Sequence, residues 1–469
     1  MNKYKKLGYN TLFILIGNIG SKLVSFLLLP FYTVYLSPEL YGELNMITMA
    51  ITFLTPLLTL QFATTVFRFA NHQPEEKQNM ITFIALSSVI PIILIVSIFS
   101  KNIIEYFRID YITRYYKYIL IIFIFSYLNS VLKEKIRTNS RVKLYSVIGI
   151  IETFITVSLN VYLVPKYLVL GMIMSMTYSA IIISIILAYF SRLDKIIRIK
   201  YWNKDVFKEM LRYSIPLIPN AIIWSILALA DRIFLKYYYG LEEVGLYSVA
   251  SKIPMILTVI FNIFYNSLQI SMLDEYKKEG FDKFFHNIFY NISLIQMFGA
   301  IGITILIKPM IRFIVADTYI EIWKYIPLFL LTILFNNYSA ILGIKYLLKK
   351  DTKNLLKSSF IASIANIGFN YLLVPRYGIF GAIIATVISY IVLFYMRKKD
   401  TEDMINIEKS FYLGNIIILL LSLLPIFESL ENYRLYISFV LIFLFIIIQK
   451  NYLLSLYDFV LKRFNRRRV

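Results

Sequence analysis

Six charged side chains lie within or at the edges of stretches that are otherwise apolar: Lys22, Arg68, Glu152, Asp231, Arg232 and Lys252. A charge at bilayer depth costs about 2.5–3.5 kcal/mol on insertion scales, so such residues face wet cavities, ion partners or ligands. Lys22 on one side and Arg232 with Lys252 on the other would make a cationic cavity fit for an anionic group. Arg68, at the inner end of its stretch, either joins that set or snorkels to the interface. Glu152 could carry a proton or a cation, pair with a basic residue, or stay protonated. Asp231 directly precedes Arg232, but consecutive helix positions point about 100° apart, which makes a local ion pair poor. Asp231 is therefore a second candidate for ion coupling or for charge pairing elsewhere.

Other chemistry has little to work with. There are no cysteines, which removes disulfides, thiolate metal sites and cysteine nucleophiles. Only two histidines occur, His72 and His286, too few and too far apart for a His-rich metal site. No phosphate-binding glycine loop, nucleophile elbow or HExxH pattern is present, and no cofactor is expected. Work done by this chain would have to draw on a Na+ or H+ gradient, the membrane potential or a solute gradient.

The elements that position these charges are membrane-spanning helices. Of 469 residues, 59% are hydrophobic and 16% charged, with a mean hydropathy of +0.68. The apolar residues fall in continuous runs of the ~20 residues that cross a bilayer as helix, without the alternation of a barrel. Spans are expected near 8–30, 44–67, 80–100, 115–132, 144–164, 168–190, 213–235, 245–272, 287–307, 323–344, 358–374, 378–396, 411–427 and 435–453. The fourth and eleventh are the shortest or most polar. The first run follows Lys3, Lys5 and Lys6 but is too long for a signal-peptide core and lacks a small-residue cleavage site.

The net charge of +21 follows membrane topology rather than nucleic-acid binding, because the basic residues sit between apolar runs and in the tails. With a cytoplasmic N-terminus, inner segments hold 35 Lys and Arg and outer loops 10. The positive-inside rule then places both termini in the cytoplasm. Lys101, Arg108, Arg114 and Lys117 dissent, and an interfacial helix would accommodate them. The longest connection, 191–212, is basic, carries Trp202, and reads as an amphipathic link between two halves.

An internal repeat supports two halves. Asn160-Val-Tyr-Leu-Val-Pro165 continuing to Gly171 matches Asn370-Tyr-Leu-Leu-Val-Pro375 continuing to Gly381, at an offset of 210 residues. Ser179 and Ser389, Asn10 and Asn220, and Lys22 and Arg232 stand at that same offset. A parallel repeat of this kind lets two bundles rock around a central site. The expectation is an all-α integral membrane protein of about 14 transmembrane helices. Its parts are a six-helix lobe over 1–200, a second over 201–400, and two further helices with a basic tail over 401–469, the lobes enclosing a central cavity.

The residues also carry a resemblance. Asn10, Lys22, Pro30-Phe-Tyr-Thr33 and Tyr41-Gly42 resemble the opening of polysaccharide transporter proteins. So do Tyr213-Ser-Ile-Pro216-Leu-Ile-Pro219-Asn220, Trp224, Asp231-Arg232, the run Val244 to Ile253, and Asn370 to Ser389. These proteins belong to the multidrug/oligosaccharidyl-lipid/polysaccharide exporter superfamily. The resemblance implies a flippase, not an enzyme, that moves undecaprenyl-pyrophosphate-linked oligosaccharide from the cytoplasmic to the outer leaflet of the cell membrane. It implies basic cavity residues at Lys22, Arg232 and Lys252 for the pyrophosphate, and a lipid groove shaped by the last two spans. Implied partners are the lipid-linked oligosaccharide, membrane lipid, and polysaccharide polymerase and assembly proteins. A cation-coupled drug exporter and a membrane polysaccharide polymerase are the competing readings.

Overall fold

In the computed structural model the described residues are predominantly helical, with no strand among them. Outside the description fall 1–23, 25, 107–109, 139–140, 277, 350, 425–433, 451 and 453–469, and with them Asn10, Lys22, Arg108, most of the first span and the basic tail. The first half comprises α1 (Leu29–Tyr35), α2 (Pro38–Leu58), α3 (Phe62–Ala70), α4 (Glu75–Tyr106), α5 (Asp110–Thr138) and α6 (Val142–Ser191). A connection carrying α7 (Lys204–Ser214) follows, then α8 (Leu217–Tyr239), α9 (Leu241–Lys252), α10 (Met255–Glu275), α11 (Phe281–Ile314), α12 (Ile326–Lys349) and α13 (Thr352–Asp400). The chain ends its described part with α14 (Lys409–Leu423) and α15 (Arg434–Ile448). Two compact units divide at 229/230, inside α8.

Seven helices among the described residues are long and apolar enough to cross a membrane, or eight if α2 and α3, bent by 52°, form one span. Two of the seven, α6 and α13, run 50 and 49 residues and each holds two of the expected spans. The polar α5 falls outside those seven, and α14 and α15 are shorter apolar helices. Arg114 and Lys117 sit in the opening turns of α5 itself, and Arg114 comes within 3.9 Å of Glu43 on α2. The dissenting charges there thus belong to the first turns of α5, and Arg114 meets an acid.

Local sequence sets the helix ends. Ser37 accepts from the Leu40 N–H at 3.4 Å ahead of Pro38, whose missing N–H costs nothing in a first turn. Asn203 caps α7 by accepting from Asp205 and Val206, and Asp351 caps α13 by accepting from Asn354. Leu60 and Gln61 take left-handed φ values of 48° and 56° at the bend between α2 and α3.

The repeat seen in sequence is a repeat of backbone. α6 breaks at Leu168 (φ 52°, ψ −124°) and α13 at Gly378 (φ 53°, ψ −128°), each three residues beyond its proline. Three residues further, a Cβ on Gly171 would lie 2.4 Å from the Leu163 carbonyl oxygen, and one on Gly381 2.4 Å from that of Leu373. The chain folds back so tightly after the kink that only glycine fits.

Polar bonds between helices hold each unit, as apolar contact alone gives little advantage over lipid. In the first, Tyr127 donates to the Ala85 carbonyl at 2.8 Å and Asn129 to that of Ala180 at 3.0 Å. In the second, Asn337 donates to Gln296 at 2.7 Å. Phe411 of α14 packs against Phe289, Tyr338 and Phe394, with ring centroids 5.4, 5.0 and 5.8 Å apart, and so docks that helix on the second unit.

Candidate functional site

The Asp231 carboxylate is buried, 2% exposed, in the second unit. Its place on α8 turns it toward α13. Asn370 donates to it at 2.7 Å, Asn366 at 3.3 Å and Thr386 at 2.8 Å, and Tyr247 of α9 donates through its hydroxyl. Asn366 and Asn370 are one helical turn apart on one face, before the kink at Gly378, and Thr386 lies on the returning arm. The fold-back therefore brings both arms of α13 to one acid. Four donors suit an ionised carboxylate, which accepts at both oxygens and donates nothing. The Oδ1 atoms of Asn366 and Asn370 are buried without a hydrogen-bond partner, so oxygen lone pairs remain unspent around the acid.

Arg232 points elsewhere, as helix geometry requires. Its guanidinium carbon lies 5.1 Å from the centre of the Tyr247 ring, and the residue is 8% exposed. Lys252, at the end of α9, is partly buried. A buried guanidinium thus sits beside a carboxylate already engaged by neutral donors.

The remaining charges lie apart from this cluster along the chain. Glu152 forms an ion pair with Lys133 at 2.5 Å, joining α6 to α5 within the first unit. Arg68 is exposed in the last turn of α3. Lys22 lies outside the described residues. The repeat counterpart of Asn370 is Asn160, and it donates to the Tyr32 hydroxyl at 2.8 Å rather than to an acid. Thr156, the counterpart of Asn366, is hydrogen-bonded to Ser179 at 2.7 Å.

Sequence reasoning singled out Asp231 but missed the side chains that meet it, Tyr247, Thr386, Asn366 and Asn370. A usable signal was there: two amides four residues apart, followed across a proline turn by a hydroxyl, facing a span with a single acid.

A sequence family described as polysaccharide biosynthesis protein matches residues 7–268, more than half of the chain. The fold and site thus belong to a multi-pass membrane protein, and the chain is a member of the polysaccharide biosynthesis protein family. An uncharacterized membrane protein of Methanocaldococcus jannaschii is 24% identical over 273 residues, 54% of this chain. The match spans 51% of that relative's length. Among solved structures, the lipid II flippase MurJ in an inward closed conformation superposes with a TM-score of 0.70 at 16% identity, covering 94% of this chain and 99% of that one. A multidrug resistance MATE family transporter in its inward-facing conformation gives 0.64 at 15% identity, covering 84% and 95%. Its outward-facing counterpart gives 0.59 at 16%, covering 89% and 96%. The chain has the fold of these transporters.

Proposed function

We propose that this chain is a flippase for an undecaprenyl-pyrophosphate-linked oligosaccharide, moving it from the cytoplasmic to the outer leaflet for assembly of a surface polysaccharide. The observation that carries the reading is Arg232, buried within the span with its guanidinium against the Tyr247 ring, beside an Asp231 whose carboxylate is turned to four neutral donors. A pyrophosphate cannot enter hydrocarbon without compensation, and fixed positive charges offset its desolvation. Lys22, at the repeat position of Arg232, would supply the matching charge from the first half, with Arg68 nearer the cytoplasmic entrance. The lipid tail stays in the bilayer while the halves alternate access. A membrane negative inside favours outward movement of each negative charge by about 2.3 kcal/mol per 100 mV.

Asp231 is the coupling group in this scheme. A carboxylate, two unspent amide oxygens and a threonine hydroxyl form an oxygen-rich set suited to a hard cation such as Na+, and the same acid could take a proton. Glu152, paired with Lys133, serves as structure. Both termini lie in the cytoplasm, as the charge asymmetry favours.

The test is flipping of defined lipid-linked oligosaccharides in proteoliposomes, with and without Na+ and H+ gradients. Arg232→Ala and Lys22→Ala should each stop flipping while leaving membrane insertion intact. Undiminished flipping in both would remove the pyrophosphate site. The buried Asp231 and the shared fold with multidrug transporters favour a second reading, a cation-coupled exporter of amphipathic cations. Efflux of such a cation by the same proteoliposomes, without glycolipid flipping, would select it.

A further inference from the structure

A cavity of about 510 Å³ opens in the second unit beside the turn that joins the two arms of α13. None of its lining residues belongs to the Asp231 cluster, and it sits at the helix ends that the charge asymmetry assigns to the outer side. Its walls are Tyr239, Tyr325, Tyr377 and Phe380, and its polar groups are Glu243 and Arg376. The volume falls within the roughly 300–1,000 Å³ of small-molecule sites.

The walls are braced. Tyr239 ends α8 and donates its hydroxyl to the Pro375 carbonyl at 3.0 Å. Its ring lies over Gly378, where a Cβ would come within 3.7 Å of it. Tyr325 meets Phe380 edge to face, with centroids 4.7 Å apart. Glu243 stands in the first turn of α9, after Gly240 at φ 94°.

The polar groups are unspent. Among the described residues, neither the Glu243 nor the Arg376 side chain makes a hydrogen bond or ion pair. One acid and one base cancel as net charge, which suits neither an amphipathic cation nor a phosphate. A prenyl chain would leave both charged groups unsatisfied. A pyranose ring matches each feature: its C–H faces lie against aromatic rings, and its rim of hydroxyls donates to a carboxylate and accepts from a guanidinium.

We propose that this cavity is a saccharide subsite, which receives rings of the glycan headgroup on the outer side, held between Tyr239, Tyr325 and Tyr377 and hydrogen-bonded to Glu243 and Arg376. It rests on the flippase reading for the carrier of that glycan. At the repeat positions the first unit keeps a base and two tyrosines, Lys166 for Arg376, Tyr167 for Tyr377 and Tyr115 for Tyr325, but Thr33 stands for Glu243, Leu29 for Tyr239 and Leu168 for Gly378, so the acid and one aromatic wall are missing there.

The test uses the full chain in cells that make the polysaccharide. A photo-crosslinking benzoylphenylalanine replaces Tyr377, with a control at Phe313, 84% exposed on α11. After irradiation the adduct is probed for carbohydrate by periodate oxidation and hydrazide labelling. Carbohydrate is expected on the Tyr377 adduct and not on the Phe313 control. The combined Glu243→Gln and Arg376→Gln changes should lower that label about tenfold. A Tyr377 adduct with phospholipid alone, or with no more carbohydrate than the control, overturns the subsite, as does a label indifferent to both changes. Flipping by the unmodified chain in proteoliposomes is measured alongside. Flipping without the glycan adduct removes the subsite and leaves the flippase standing; a glycan adduct without flipping does the reverse.

Discussion

The returning helix pairs α6 and α13 share a proline, a kink and an obligatory glycine at matching places, yet they surround different chemistry. In the second unit Asn370 and Asn366 converge with Thr386 and Tyr247 on a buried acid. In the first, Asn160 meets a tyrosine hydroxyl and Thr156 meets Ser179, without charge. The duplicated features are those backbone sterics demand. The features that differ are side chains facing the interior, where the charge of a single residue changes what a helix pair can bind. A duplicated scaffold thus frees one half to specialise.

The strongest test of the shared scaffold is at the two glycines. Gly171→Ala and Gly381→Ala each place a carbon 2.4 Å from a backbone oxygen that cannot swing aside. Each should cost more than about 4 kcal/mol and abolish folded protein, read as loss of a monodisperse peak in detergent. Normal accumulation of either variant would mean that the halves differ in their need for the tight turn.

The specialised chemistry is tested next. Asp231→Asn keeps the shape and removes the charge, and should lower transport at least about hundredfold, or roughly 2.7 kcal/mol. Asn160→Ala, in the uncharged cluster of the first unit, should lower it no more than about threefold. Equal losses would erase the distinction. A smaller effect is expected at the kinks. Leu168 holds a φ of 52° with a ψ of −124°, a conformation that strains a side-chain-bearing residue by about 1–3 kcal/mol. Leu168→Gly should raise the melting temperature and Gly378→Leu should lower it; the opposite signs would show that packing, not backbone strain, governs these positions.

Much of this contrast was legible in the sequence. Continuous apolar runs are a direct record of span length, and the repeat at Asn160 and Asn370 announced matching turns. The kink residue was less visible, since Leu168 and Gly378 share no side-chain signal and the reason for the break is geometric. Arg232 and Lys252 were read as cavity cations because charge in hydrocarbon is conspicuous. Lys133, one residue past the fourth expected span, pairs with Glu152 on the next helix, which nothing in the spacing announces. Ion pairs between helices depend on rotation about each axis, which spacing along one strand of sequence does not encode. Tyr247 and Thr386 are common residue types in such spans, and only the fold-back of α13 makes them ligands of one carboxylate.

The smallest effect concerns two lysines at repeat positions, Lys135 and Lys345, each just beyond an expected span. Both tie the end of a returning helix. Lys345 donates to the Asp400 carbonyl and the Asp403 carboxylate. Lys135 donates to Asn79 and, at 3.3 Å, to the Ser191 carbonyl, with Glu75, Arg141 and Asp194 acting on it electrostatically. Burial pushes the Lys135 ammonium down to about 8. An unfolded lysine titrates near 10.4, so between pH ~8 and ~10.4 the unfolded chain holds more protons and the first unit gains stability as pH rises. The second unit behaves otherwise. Burial tends to raise Asp403, but hydrogen bonds and charge from Lys345 and Lys349 outweigh it and hold the carboxyl below its usual range. That tie is complete above the ordinary carboxylate range and is lost as pH falls through the lowered value. Thermal unfolding in nanodiscs should therefore show a melting temperature that climbs by a few degrees between pH 7.5 and 9.5. Lys135→Gln should flatten that climb, and Asp403→Asn should leave it unchanged while removing part of the loss in acid. A climb that survives Lys135→Gln would mean that the two ties do not differ in the way their partners imply.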